Sequence, residues 1–280
     1  MSIYLCRFLA NNKLTLYKIT ANTIFLGKKS EYLPTCHSTN DVLTELVRND
    51  IALQEGFLIH TAHQTHGRGQ RGNRWESAPY QNLTFSFLLK PRFLLPSQSF
   101  QLNIAISVGL IDYLKKLCHG FQIKWSNDIY HDNKKLGGIL IENEICSQRI
   151  EHSIVGIGLN VNQTTFSFSQ ASANQSVLPT SLALIKQQPL DLAQTLNDLL
   201  PFLEQRYLQL RSGKIEQLKH DYLQHLYWYQ EEHLFEDLRV PQQPMRFSGQ
   251  ILGIDKEGRL CIASQEKLLY FEVKQIRFIH

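Results

Sequence analysis

Residues Gly67-Arg68-Gly69-Gln70-Arg71-Gly72-Asn73-Arg74-Trp75 bring three glycines and three arginines into one short loop. Glycine lets the backbone take positive φ and lie close to a ligand. Guanidinium forks match the geometry of carboxylates and phosphates. Such a loop suits closure over an anionic small molecule. A solvated basic turn, or a contact with a nucleic-acid backbone, is also open to it on composition alone.

Further segments carry polar groups at the ends of apolar runs. Lys124-Trp125-Ser126-Asn127-Asp128 follows Phe121-Gln122-Ile123 and sets a lysine, an amide and a carboxylate side by side. Asn and Asp there also suit a turn capped by side-chain-to-backbone hydrogen bonds. Lys134-Lys135-Leu136-Gly137-Gly138 leads into Ile139-Leu140-Ile141-Glu142-Asn143 and reads either as a ligand-facing strand entry or as a hairpin with solvated lysines. Gly156-Ile157-Gly158-Leu159-Asn160 puts small residues on one face of an apolar strand, which suggests a bulge or a ligand lying on the sheet. It lacks the following helix of a dinucleotide fingerprint. His63 and His66 flank the glycine-rich loop and fit loop packing better than metal or acid–base work.

The elements that must position these groups follow from periodicity. Ser38-Thr39-Asn40-Asp41 is a run of helix-capping residues before Val42, Leu43, Leu46 and Val47, which predicts a helix over 40–50. A strand over 57–62 enters the loop, and Leu83, Phe85, Phe87 and Leu89 alternate with Thr84 and Ser86 as in a half-buried strand. Residues 98–118 have the spacing of a core helix. Strands are expected at 121–125, 129–131, 138–143 and 153–161, and amphipathic helices at 190–211, bent or split by Pro201, and 214–229, where Trp228 packs. Upstream, Leu14–Ile19 and Thr23–Leu26 read as short β-like pieces. Pro241-Gln242-Gln243-Pro244 reads as a linker to four or five short strands, with a hairpin turn at Asp255-Lys256-Glu257-Gly258.

The 280 residues allow one large domain or a large and a small one, and an apolar share of 43% with 19% charged residues is that of a globular protein. A net charge of +4 fits an anionic small substrate or an acidic protein partner better than nucleic acid. Cys6, Cys36, Cys118, Cys146 and Cys261 are scattered without metal-ligand spacing, which points to a reducing cytoplasm. No apolar run approaches the ~18 residues of a membrane span, and no signal-peptide layout opens the chain.

Taken in order, Cys36-His37-Ser38-Thr39-Asn40, Gln64-Thr65-His66 leading into 67–75, 124–128, 135–143 and 156–162 resemble the biotin–protein ligase family over roughly residues 25–280. The resemblance implies an α/β (α+β) catalytic domain at 1–235, a mixed, mainly antiparallel sheet backed by helices, and a small C-terminal SH3-like β-barrel at 236–280. It implies activation of biotin with ATP to biotinyl-5′-AMP and transfer to a lysine of a biotin carboxyl carrier protein, with Mg2+ on the phosphates and no all-protein metal site. By motif match Ser38, Thr39, Asn40, Gln64, Gly67, Arg68, Lys135, Gly138, Gly156 and Gly158 would form the biotin site. Arg71, Arg74, Trp75, Lys124, Asn127, Asp128 and Asn160 would face ATP, and Arg68, Lys135 and Asp128 would act in the chemistry.

Two residues depart from the family pattern: Gln70 stands where an arginine is common, and Ser126 where a proline is common. Lipoate–protein ligases and octanoyltransferases are the nearest enzymatic rivals. Some biotin ligases double as repressors, but too few residues precede Ser38 for a helix-turn-helix. No specific DNA and no membrane partner are expected, and a homodimer is left open.

Overall fold

The computed structural model describes residues 18–49, 52–166, 178–240, 242–265 and 267–279. Its first sheet has seven strands: β1 (Ser30–Leu33), β2 (Leu58–Thr61), β3 (Leu83–Leu89), β4 (Phe121–Lys124), β5 (Asp128–His131), β6 (Lys134–Cys146) and β7 (Arg149–Leu159). The spatial order is β1-β2-β3-β7-β6-β5-β4. Only the β1–β2 pairing is parallel, so the sheet is mixed and mainly antiparallel.

Side-chain alternation divides the two faces. Phe85, Phe87, Val155, Ile157 and Leu159 point into the main core. That core is closed by α2 (Ser99–Leu117), α4 (Leu192–Arg211) and α5 (Ile215–Gln224), with the short α3 (Leu182–Lys186) preceding α4. Fully burying each aromatic or aliphatic side chain stabilises the fold by roughly 1.5–3 kcal/mol. On the other face, Leu43 of α1 (Thr39–Asn49) packs on Ile59, Leu88 and Ile154. Thus β3 is buried on both faces rather than half-buried. Its polar side is covered because Ser86 Oγ lies within hydrogen-bond reach of Thr39 Oγ1 (2.7 Å) and Asn40 Oδ1 (2.6 Å) at the start of α1.

The second sheet contains β8 (Glu232–Asp237), β9 (Met245–Ile254), β10 (Leu260–Ser264), β11 (Lys267–Phe271) and β12 (Ile276–Phe278), in the order β11-β10-β9-β8-β12. All four pairings are antiparallel. Gln242–Pro244 lies between neighbouring strands β8 and β9, inside this sheet rather than ahead of it. The 255–258 hairpin forms as expected, with Gly258 at φ +84°.

Several local expectations change. Pro201 sits inside a continuous α4. The helix expected to 229 ends at Gln224, and Trp228, at φ +60°, stacks on His233 with ring centroids 3.8 Å apart. Thr23–Leu26 is not a strand. The backbone N–H groups of Ile24, Phe25 and Leu26 instead donate to the buried Glu204 carboxylate at 2.6–2.8 Å. Most of the Leu14–Ile19 piece lies outside the described residues.

Candidate active site

A single register row crosses the first sheet: Thr84 on β3, Gly158 on β7, Gly138 on β6, Asp128 on β5 and Lys124 on β4. At about 4.8 Å per strand, this row is a ruler laid across the sheet. Its middle is stripped to glycine and its far end is charged. Above it lies an open cavity of about 320 Å3, lined by every member of the row.

Most of the predicted residues converge there. Ser38, Thr39, Asn40, Gln64, Arg68, Arg74, Trp75, Lys124, Asn127, Asp128, Lys135, Gly138, Gly156 and Gly158 all line the cavity. Gly67 and Asn160 do not. The Gly67 carbonyl accepts from Trp75 N–H at 2.9 Å, clamping the two ends of the glycine-rich loop together. Asn160 is buried and donates its side-chain amide to the Thr180 carbonyl at 2.9 Å, tying β7 to the chain before α3. Arg71 lies in the short turn Gln70–Gly72.

At the α1 end, helix geometry and the neighbouring loop fix the polar groups. Gln64 Oε1 accepts from Thr39 N–H (2.8 Å) and Thr39 Oγ1 (3.1 Å), while Ser38 and Asn40 are buried beside it. A Cβ at Gly156 would collide with Asn40 Oδ1, and one at Gly158 would lie 2.7 Å from Trp75 Cζ2 and Nε1. The small face of β7 therefore admits the α1 start and the loop tryptophan. Trp75 Nε1 is buried with no partner, an orphan donor at the cavity.

The charged centre consists of pairs. Lys135 Nζ lies 2.8 Å from Asp128 Oδ1, both partly exposed. Arg68 Nη2 is held 2.6 Å from both Asp41 Oδ1 and Glu142 Oε2, and Glu142 also accepts from Asn40 Nδ2 at 2.7 Å. Asn127 donates to the Ile139 carbonyl (2.5 Å), and Ser126 Oγ donates to Gln70 Oε1 (3.1 Å). Gln70 thus bridges the glycine-rich loop to the β4–β5 turn without charge. Burial pushes the Lys124 amine down to about 8, opposed by the Asp128 charge and assisted by Lys135.

Asp41 and Glu142 were missed as site residues, although both lie in segments with recognisable motifs. Ile276, Arg277 and Phe278 also line the cavity. Their sequence carries no motif, and their proximity comes from folding across more than a hundred residues. Among the described residues no group of three or more His, Cys, Asp or Glu side chains is placed to hold a metal ion. His63 and His66 lie outside the cavity lining.

A model of the biotin/lipoate A/B protein ligase family matches residues 32–160. The bifunctional ligase/repressor BirA of Bacillus spizizenii is 30% identical over 261 residues, spanning 89% of this chain and 76% of its own. The chain belongs to the biotin–protein ligase family. The fold of this ligase matches that of Aquifex aeolicus biotin protein ligase in complex with biotin and ATP, with a TM-score of 0.72 at 24% identity over 90% of this chain and all of that one. A Leishmania major biotin protein ligase in complex with biotinyl-5-AMP superposes with a TM-score of 0.55 at 19% identity, covering 88% and 99% of the two chains. The five-stranded second sheet of this ligase fits the SH3-like part expected at its C-terminal end.

Proposed function

We propose that this ligase activates biotin with ATP to biotinyl-5′-AMP and transfers biotin to one lysine of a biotin carboxyl carrier protein. The observation that carries the reading is the register row from Thr84 to Lys124, with hydrogen-bonding side chains at one end, glycines in the middle and the Asp128–Lys135 pair next. Ser38, Thr39, Asn40 and Gln64 hold the polar head of biotin at the α1 end. Gly138 lets its body lie against the sheet, while Gly156 and Gly158 make room for the Asn40 and Trp75 side chains that wall the slot. The backbone of Arg68 closes the slot, with Gly67 clamping the loop behind it, and the buried indole N–H of Trp75 is a donor that a ligand acceptor satisfies.

Both reactants are anions. A biotin carboxylate oxygen attacks the α-phosphorus, the bond to the bridging oxygen of the β-phosphate breaks, and pyrophosphate leaves. Lys135 and Arg68 offset the repulsion, and a preorganised donor at such a centre is worth roughly 3 kcal/mol of barrier. Arg74, Lys124 and Asn127 serve the nucleotide side, with Arg71 and Asn160 assigned there by motif. The cavity lining offers one carboxylate, Asp128. Mg2+ therefore fits as an ion carried on the phosphates, with Asp128 the side chain able to reach it. Bound there, it would neutralise phosphate charge.

In the second step a carrier lysine amine attacks the activated carbonyl, AMP leaves, and the amine loses its proton. Only about one lysine in 2,500 is neutral at pH 7. Asp128 orients that amine and takes up the proton. Closure of the 67–75 loop keeps water from the mixed anhydride.

The four described cysteines, Cys36, Cys118, Cys146 and Cys261, are free thiols, which supports a cytoplasmic home. Among the described residues no helix is long and apolar enough to cross a membrane. Pyrophosphate release from ATP with biotin, with lipoate and with neither acid tests the reading. Release dependent on biotin supports it, and release dependent on lipoate instead overturns it.

A further inference from the structure

The last strand of the second sheet reaches the cavity wall. Phe278 of β12 presents its ring with the centroid 4.8 Å from Lys124 Nζ. Tyr130 of β5 offers a second ring at 4.8 Å, and its hydroxyl lies 3.3 Å from the same nitrogen. Tyr227 adds a third ring at 5.9 Å. Ring faces carry negative charge density that attracts an ammonium, more strongly where water is excluded.

The seat is rigid. Phe278 is buried and packed on Phe235 and Trp228, each with ring centroids 5.3 Å from its own. The residue after Lys124 is gripped by the same sheet, because Trp125 Nε1 donates to the Gly258 carbonyl at 2.9 Å. The second sheet therefore holds the end of β4 at two consecutive residues.

Position along the register row gives the seat a purpose. The hydrogen-bonding residues of α1 mark one end, Asp128 and Lys135 lie further along, and Lys124 is the last member, on the edge strand. We propose that Phe278 is a positioning residue of the ligase: with Tyr130 it seats the Lys124 ammonium where the polyphosphate of ATP lies, so that the second sheet completes the nucleotide side of the site. The proposal rests on the function given above. In that reaction the electron pair of the breaking P–O bond leaves with pyrophosphate, and Lys124 faces the charge that develops there.

The groups facing Lys124 are Asp128 and Tyr130 from β5, Lys135 from β6, Tyr227 after α5, and Phe278 from β12. Arg277, also at the cavity, is paired with Glu236 at 2.5 Å. Replacing the Phe278 ring by an apolar side chain removes a face that attracts the ammonium while still excluding water, and so lowers the amine's pKa further below the ordinary lysine value of 10.5.

The test is biotin-dependent ATP–pyrophosphate exchange measured from about pH 6.5 to 10, with NMR titration of the Lys124 amine alongside. In the native ligase kcat/KM for ATP falls as the Lys124 amine deprotonates. Phe278→Leu raises KM for ATP about fivefold, leaves KM for biotin within about twofold, and moves the alkaline limb downward. Phe278→Tyr, which keeps the ring, restores the native profile. An unmoved limb in Phe278→Leu, or equal increases in both KM values, overturns the proposal. Should Phe278→Leu fail to fold, Lys124→Met decides: the limb disappears if the proposal holds, and its persistence overturns it. The NMR titration reads the seat without turnover, so an absence of exchange with biotin refutes the function, whereas a native Lys124 amine titrating at the ordinary value refutes the seat.

Discussion

Gly158→Ala isolates the role of the bare strand face. The added Cβ would lie 2.7 Å from Trp75 Cζ2 and Nε1 and closer still to Cε2. Carbon atoms prefer about 3.5–4.0 Å, so the indole must withdraw by about 1 Å. The backbone N–H of Trp75 donates to the Gly67 carbonyl at 2.9 Å, so that withdrawal pulls on both ends of the glycine-rich loop. Misplacement of about 1 Å in a positioning group costs on the order of 100-fold in rate. Overpacking costs a further 1–3 kcal/mol or so in stability. The expected result is biotin-dependent pyrophosphate exchange reduced about 100-fold, with KM for biotin raised and the chain still folded by circular dichroism. A Gly158→Ala ligase with native KM and kcat would refute the argument that this face must stay bare beneath the loop tryptophan.

Lys135→Ala and Arg68→Ala should each slow adenylate formation at least about tenfold, measured by pyrophosphate release; near-native rates in either would remove that residue from the reacting centre. Asp128→Asn should slow transfer from preformed biotinyl-AMP to the carrier about tenfold, and a full transfer rate would exclude Asp128 from handling the amine. Burial pushes His60 down to about 4 from the ordinary 6.5. The unfolded chain therefore binds this proton first, and stability present above pH 6.5 is lost as pH falls toward 4. The loss amounts to about 3 kcal/mol in urea titrations, and His60→Leu should flatten the slope. Glu204→Ala leaves three backbone donors without their carboxylate and should cost about 3 kcal/mol, read as a lower urea midpoint.

How much the sequence disclosed depends on the range of each interaction. The capping run at 38–41, the alternation of β3 and the glycines of β7 are local signals, and each named its element. Burial of β3 on both sides was not legible, because Thr84 and Ser86 look solvent-facing until α1 and the cavity cover them. Trp228 was read as helical because aromatic spacing does not reveal a left-handed backbone; here that backbone accompanies stacking on His233. The carboxylates that hold Arg68 come from α1 and β6, and Phe278 reaches Lys124 from the opposite end of the chain. Such contacts leave no periodic trace, whereas the motifs at 67–75, 124–128 and 135–143 were legible because each concentrates its chemistry in a few consecutive residues.

The most direct measurement is intact-mass spectrometry of a carrier domain with a single acceptor lysine, incubated with this ligase, ATP and either biotin or lipoate. A mass gain of one biotinyl group on that lysine, dependent on ATP and biotin, is the predicted result. An unchanged carrier mass with biotin, or modification only with lipoate, would contradict the assignment.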